Sequence, residues 1–165
     1  MKKFTALLLA VVMLLALTGC MKKAYEYNPK EFSKSGMTIT LTEAFRVYND
    51  DLGDILIAYE SKEVLVSVLK EEFASVEGFG DFTVDEYAEL WVTANKEYSP
   101  ETPKTVDGLV QTKYTADVDG TNFVYFTVMF KGPDAFWTFQ FACVEKNYEN
   151  YAPHFVQWAK SVKLS

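Results

Sequence analysis

Few side chains in this sequence belong to types that carry covalent or acid–base chemistry. There is one histidine, His154, and there are two cysteines, Cys20 and Cys143. Nucleophilic catalysis needs a base held beside the nucleophile. His154 directly follows Pro153 beside an apolar helical stripe, where an ordinary surface histidine is the favoured reading over a catalytic one. Cys143 lies in Phe139-Gln140-Phe141-Ala142-Cys143-Val144 and reads as a buried, inert strand thiol, with redox use as the alternative. Oxygen ligands cluster in Asn49-Asp50-Asp51-Leu52-Gly53-Asp54, with Glu60 further along. A calcium loop at that register wants glycine where Asp54 stands and an acid or amide where Gly53 stands, so a solvated turn is the better reading. Glu71-Glu72 and Asp85-Glu86 are carboxylates adjacent in sequence, and such neighbours point different ways; a solvated edge and a helix start account for them. No catalytic residue, cofactor-binding residue or metal ligand emerges from this search. Cys20 remains, and its chemistry depends on what precedes it.

Lys2 and Lys3 open the chain, and Phe4 to Leu17 is apolar except for Thr5. A basic start, a greasy run and small residues make the layout of a secretory signal. The run is too short for a comfortable membrane span, which takes roughly 20 apolar residues. Leu17-Thr18-Gly19-Cys20 resembles the lipobox of bacterial lipoproteins. That resemblance implies a diacylglyceryl group on the Cys20 thiol and cleavage just before it. A plain secretory peptide followed by a chance cysteine, or an uncleaved helix, is the alternative. The expected division is a signal peptide at 1–19, a lipidated N-terminus and tether at 20–35, and a globular domain at 36–165. Lys22, Lys23 and Lys34 then read as solvated linker groups, with a place near lipid headgroups as the alternative.

Loss of residues 1–19 leaves 146 of the 165 residues, enough for one domain with a sizeable core. It removes two of the 16 basic residues and none of the 23 acidic ones, taking the net charge from −7 to −9. Such a balance argues against nucleic acid and against lying flat on anionic lipid. With Cys20 modified, Cys143 has no disulfide partner, so the domain relies on its core, which the 16% aromatic content can supply.

The elements that carry these residues follow from periodicity. Met37 to Leu41 alternates as a strand, and Thr42 to Asn49, holding Phe45, reads as a turn that plugs the sheet end. Ile55 to Glu60 and Val64 to Glu71 read as strands, the second apolar on both faces. Thr83 to Tyr98 is the clearest helix: Thr83 caps it, Glu86 completes a capping box, and Tyr87, Leu90, Trp91, Ala94 and Tyr98 form its stripe. Pro100 to Gly108 reads as a loop. Leu109 to Val118, Thr121 to Lys131 and Ala135 to Val144 form a meander turned by Asp119-Gly120 and by Lys131-Gly132-Pro133-Asp134. Asn147 to Val162 closes the chain as a helix, with Pro153 expected in its first turn. A sheet apolar on both faces needs two covering layers. The expectation is an α+β fold: an α/β/α sandwich with a central antiparallel sheet of about six strands and a helix on each face.

Met37-Thr38-Ile39-Thr40-Leu41 with Phe45, the Thr83 to Leu90 helix start, Ala135-Phe136-Trp137 and the Phe155 to Val162 ending resemble the PsbP/Mog1-like proteins, and more closely small Gram-positive lipoproteins expected to share that fold. The likeness spans roughly residues 32–164 and consists of core positions. It implies the α/β/α sandwich but no reaction. The family includes photosystem accessory proteins, a binder of a small GTPase and envelope lipoproteins, whose common thread is docking onto other proteins. No family functional residue transfers here.

The functional expectation is a non-enzymatic, membrane-anchored extracytoplasmic module, a monomer tethered through lipid on Cys20, that binds an envelope protein. The alternative is a small-ligand or peptide-binding lipoprotein serving transport or sensing. Tyr25, Tyr27 and Tyr48 lie off any core stripe and are the aromatics expected to dock a partner if they are exposed together.

Overall fold

The computed structural model describes residues 22–49, 53–75 and 77–165. A single 3-10 turn at Ala24–Glu26 leads into β1 (Pro29–Lys34), β2 (Met37–Thr42), β3 (Arg46–Tyr48), β4 (Ile57–Glu60) and β5 (Val64–Glu72). Helix α1 (Val84–Ala94) follows, then β6 (Lys104–Val106), β7 (Leu109–Val118), β8 (Thr121–Lys131), β9 (Ala135–Val144), α2 (Tyr148–Lys160) and β10 (Lys163–Leu164). The strands form a seven-stranded antiparallel sheet, ordered β3-β4-β5-β9-β8-β7-β6, and a three-stranded sheet, ordered β1-β2-β10.

The α+β class holds, but the expected six strands become seven plus a separate small sheet. The two short edge strands β3 and β6 extend the large sheet where a plug and a loop were expected. One face of the sheet packs against α1 through Tyr87, Ala88 and Trp91, which meet Leu65, Tyr114, Tyr125, Met129, Phe136 and Ala142. The other face carries two elements: α2, through Tyr151, Phe155 and Trp158, and the small sheet, through Phe32, Met37, Ile39 and Leu41. Between them lie Tyr59, Val66, Val68, Phe126, Val128, Phe139 and Phe141. Because a strand alternates its side chains, β5, β8 and β9 feed both cores.

Residues 24–34 of the stretch expected as a tether belong to the fold. Ala24 and Phe32 are buried, and β1 pairs residue by residue with β2 from Pro29↔Thr42 to Lys34↔Met37. β2 is the middle strand of the small sheet, with β10 on its other side, so it needs a partner from each end of the chain. The link between β1 and β2 is Ser35-Gly36, both at positive φ. A Cβ on Gly36 would stand 2.6 Å from the Ser165 carbonyl oxygen, so only glycine allows this close approach.

Local chemistry explains the helices. Thr83 Oγ1 accepts from the Glu86 amide at 3.2 Å, and the Thr83 amide donates to Glu86 Oε2 at 2.8 Å, the capping box expected from sequence. α1 ends at Ala94, short of the expected Tyr98, and Lys96–Tyr98 continues as a 3-10 turn. α2 starts at Tyr148, so Pro153 stands inside it rather than in its first turn, and its missing N–H leaves the Glu149 carbonyl without that helical bond. Asp119 and Gly120 both take positive φ, as a two-residue hairpin requires.

Three buried side-chain atoms among the described residues depart from the rule that interior polar atoms are paired: the Tyr59 hydroxyl, Asn95 Oδ1 and Trp137 Nε1. The Tyr59 hydroxyl is buried with no hydrogen-bond partner among the described residues, and burial pushes its pKa up to about 12. Tyr59→Phe is therefore expected to keep the fold and stabilise it by about 1 kcal/mol, read as a raised urea midpoint with an unchanged m-value. A clear loss of stability would show that the hydroxyl has a partner.

Candidate functional site

Strand directions place the functional features at two opposite ends. From the register, Val64, Cys143 and Thr121 lie toward one end of the large sheet, and Glu72, Ala135 and Lys131 toward the other. The start of the described chain attaches at the first end. The Ala24 amide donates to the Tyr151 hydroxyl at 3.2 Å, and Thr42 Oγ1 donates to the Ala24 carbonyl at 2.6 Å. Tyr151 Oη donates to Glu63 Oε2 at 2.6 Å, and Lys23 Nζ donates to Glu63 Oε1 at 2.7 Å. Glu63 sits in the β4–β5 turn, so one carboxylate ties together the arriving chain, that turn and α2. The Tyr25 ring stacks on His154 with centroids 4.0 Å apart and meets Tyr151 edge-on at 5.3 Å.

Electrostatics make this clamp pH-dependent. Burial pushes the Glu63 carboxyl up, but hydrogen bonds from Lys23 and Tyr151, with the charges of Lys23 and Lys62, outweigh it and hold the carboxyl below the ordinary glutamate range. A group with a depressed folded-state pKa contributes stability that is full above its unfolded value and is lost as pH falls through its folded value. Acidification below the ordinary glutamate range is expected to shift the Ala24 amide resonance and loosen residues 23–26 before the core melts. Glu63→Gln should abolish that transition; an unchanged titration in the variant would assign it to another group.

At the opposite end, residues 73–75 and 77–83 form an aromatic cap through Phe73, Phe79 and Phe82. Lys131 Nζ donates to the carbonyls of Gly80 at 2.7 Å and Phe82 at 2.8 Å and lies over the rings of Phe73 and Phe136. Beneath it Tyr87 stacks on Phe136 at 4.3 Å. The Tyr87 hydroxyl donates to Glu71 Oε2 and lies 2.9 Å from Thr138 Oγ1. Burial pushes the Glu71 carboxyl up against the opposing pull of the Tyr87 bond. Glu71 faces α1 while Glu72 is exposed, so the two carboxylates do point apart.

A polar row crosses the α1 face in register: Ser67, Gln140, Thr127 and Thr112, continuing through Ala58 to Tyr48 at the edge. Gln140 Nε2 donates to the Tyr114 hydroxyl at 3.0 Å and to Thr127 Oγ1 at 3.3 Å, and Thr112 Oγ1 donates to the Glu101 carbonyl at 2.5 Å. Gln140 thus ties Thr127 to Tyr114, while Thr112 is held by the backbone of Glu101.

The sequence-derived sites fare unevenly. Leu17, Thr18, Gly19 and Cys20 lie outside the described residues, as do Asp50, Asp51 and Leu52 of the acidic turn. The three tyrosines do not form one patch. Tyr25 packs on the α2 side and Tyr48 on the α1 side of the sheet, and Tyr27 alone is exposed, at 37%. Cys143 is fully buried, and burial pushes its thiol up to about 12. No group of three or more His, Cys, Asp or Glu side chains among the described residues is arranged to hold a metal ion. No described helix is long and apolar enough to cross a membrane.

Sequence reasoning missed the exposed apolar residues around α1. Leu90, placed on the core stripe by spacing, is 43% exposed. Phe82, just before the helix, is also exposed. Val106 on β6 is exposed too, but it pairs with Leu109 of the other core and alternates with Thr105, whose Oγ1 donates to Asp85 Oδ1 at 3.1 Å, so it faces the α2 side. The signal was present in Leu90's flanks: Glu89 beside it and Glu86 one turn earlier are both exposed.

No protein-family model and no curated protein sequence matches the chain. Solved structures do match. The chain is similar to cyanobacterial PsbP (CyanoP) from Synechocystis sp. PCC 6803, with a TM-score of 0.54 and 12% identity over 92% of this chain and 99% of that one. It is also similar to a protein from Bacteroides thetaiotaomicron VPI-5482, with a TM-score of 0.53 and 8% identity over 82% of this chain and 48% of that one. At such identities the likeness shows architecture alone: the fold is PsbP-like.

Proposed function

We propose that this protein is a lipid-anchored extracytoplasmic docking module. Cys20 carries the acyl chains, the body is held at the membrane surface, and the α1 side meets another protein of the envelope. The observation that carries the docking half is the exposure of Phe82 and Leu90 at the start and on the outer side of one helix. Large apolar side chains left exposed at a short helix are the kind of surface that partners cover. The family that the sequence resembles docks onto other proteins, and the PsbP-like architecture supports the same reading. The anchor half rests on Leu17-Thr18-Gly19-Cys20.

The test is crosslinking in intact cells, with recovery of the protein from membranes. The wild type is expected to bring down the same partner repeatedly, and Phe82→Arg with Leu90→Arg to lose it while staying folded and membrane-bound. A partner retained by the double variant would move the docking surface elsewhere. Reproducible recovery of nothing would overturn the docking role.

A further inference from the structure

The anchored end has a composition of its own, and the geometry there brings it against lipid. Ala24 is buried and pinned on both sides of its peptide unit by Tyr151 and Thr42. Four Cα steps separate it from Cys20, a reach of about 14 Å at full extension. A diacylated Cys20 sits at headgroup level, so the surface around Ala24 cannot stand clear of the headgroups. On that surface Lys22 and Tyr27 are exposed, with the Lys22 ammonium over the Tyr27 ring at 5.7 Å. Lys62 is exposed at the tip of the β4–β5 turn, next to Glu63. Three nearby acids are engaged: Glu63 with Lys23, Tyr151 and the charge of Lys62, Glu26 with the Lys23 amide at 2.6 Å, and Glu43 with the Asn28 side-chain amide at 3.2 Å.

We infer that Lys22, Tyr27 and Lys62 form a contact surface for anionic lipid headgroups that stands the anchored domain on this end. The inference rests on the lipidated reading of Cys20 and adds an orientation to it. Lysines near an anionic leaflet are attracted to it, and tyrosine favours the membrane–water interface. The rest of the chain is strongly acidic, so the same lipid repels it. Attraction at one end and repulsion over the rest make one orientation preferred. The sequence-level argument against lying flat on anionic lipid is kept, since the contact is confined to the anchored end.

The test uses the full lipidated protein, reconstituted into phosphatidylcholine vesicles with and without about one-third phosphatidylglycerol. Trp91, Trp137 and Trp158 are buried and serve as a constant background. Tyr27→Trp is expected to be quenched by lipids brominated near the headgroup several-fold more than Phe82→Trp, which reports the opposite end. Lys22→Glu with Lys62→Glu should cut the Tyr27→Trp quenching about twofold on anionic vesicles while the protein still sediments with them. Equal quenching at the two positions, or quenching indifferent to charge reversal, would overturn the orientation and leave the anchor standing. Failure to sediment would overturn the anchor, and the orientation with it.

Discussion

Cys20→Ser is expected to move the protein from the membrane fraction to the soluble one, or to trap it at precursor size. Serine keeps the size of the side chain but removes the sulfur that would carry the diacylglyceryl group. Burial of each methylene in the bilayer is worth about 0.8 kcal/mol, so two acyl chains hold a protein firmly where one is marginal. No described helix can take over as an anchor, and Lys22 and Lys62 alone are too few charges to retain a chain this acidic. Cys143→Ser is the control, because that thiol is fully buried and should leave fractionation unchanged. Membrane association of Cys20→Ser at mature size would sink the lipid anchor.

The largest stability effect is expected at Phe141. Its side chain is fully buried in the face shared by α2 and the small sheet, and its ring lies 5.4 Å from Phe155, 6.3 Å from Phe126 and 6.4 Å from Trp158. It joins sheet and helix, and its strand is the middle one of seven. Truncating a buried phenylalanine loses transfer free energy and leaves a cavity, together costing about 3–5 kcal/mol. Against a total stability of about 5–15 kcal/mol, Phe141→Ala should lower the urea midpoint drastically or prevent accumulation of folded protein. Phe141→Leu should recover most of the loss. A cost below about 1 kcal/mol for the alanine variant would mean that the two layers do not depend on this ring.

Long periodic segments were legible in the sequence. The capping box at Thr83 and Glu86, the three meander strands and the Asp119-Gly120 hairpin follow from patterns that local physics enforces. The rest was hidden because its signal is weak. In β1 only Phe32 points inward, among Pro29, Lys30, Glu31, Ser33 and Lys34, so a paired strand reads as a polar linker. β3 and β6 are three residues each and largely exposed, too short to show any period. Leu90 fits the helical stripe but faces out, because α1 is too narrow a layer to bury every apolar residue it carries. Tyr25 and Tyr48 look unattached in sequence, yet each is claimed by a different core. The Glu63 clamp was beyond reach: it joins Lys23, Glu63 and Tyr151, and nothing local connects them.

The pairing of β5 with β9 has a consequence for how the protein is made. β5 ends at Glu72, and the strand that lies beside it begins only at Ala135. β2 likewise waits for Lys163 and Leu164 on one side. Contacts so far apart in sequence slow folding, since the chain must close long loops before they reward it. Neither sheet can therefore be completed before β9 and β10 have been synthesised. If the chain is exported, as proposed above, late closure of this kind leaves it unfolded for passage through a narrow channel and lets it fold on the far side.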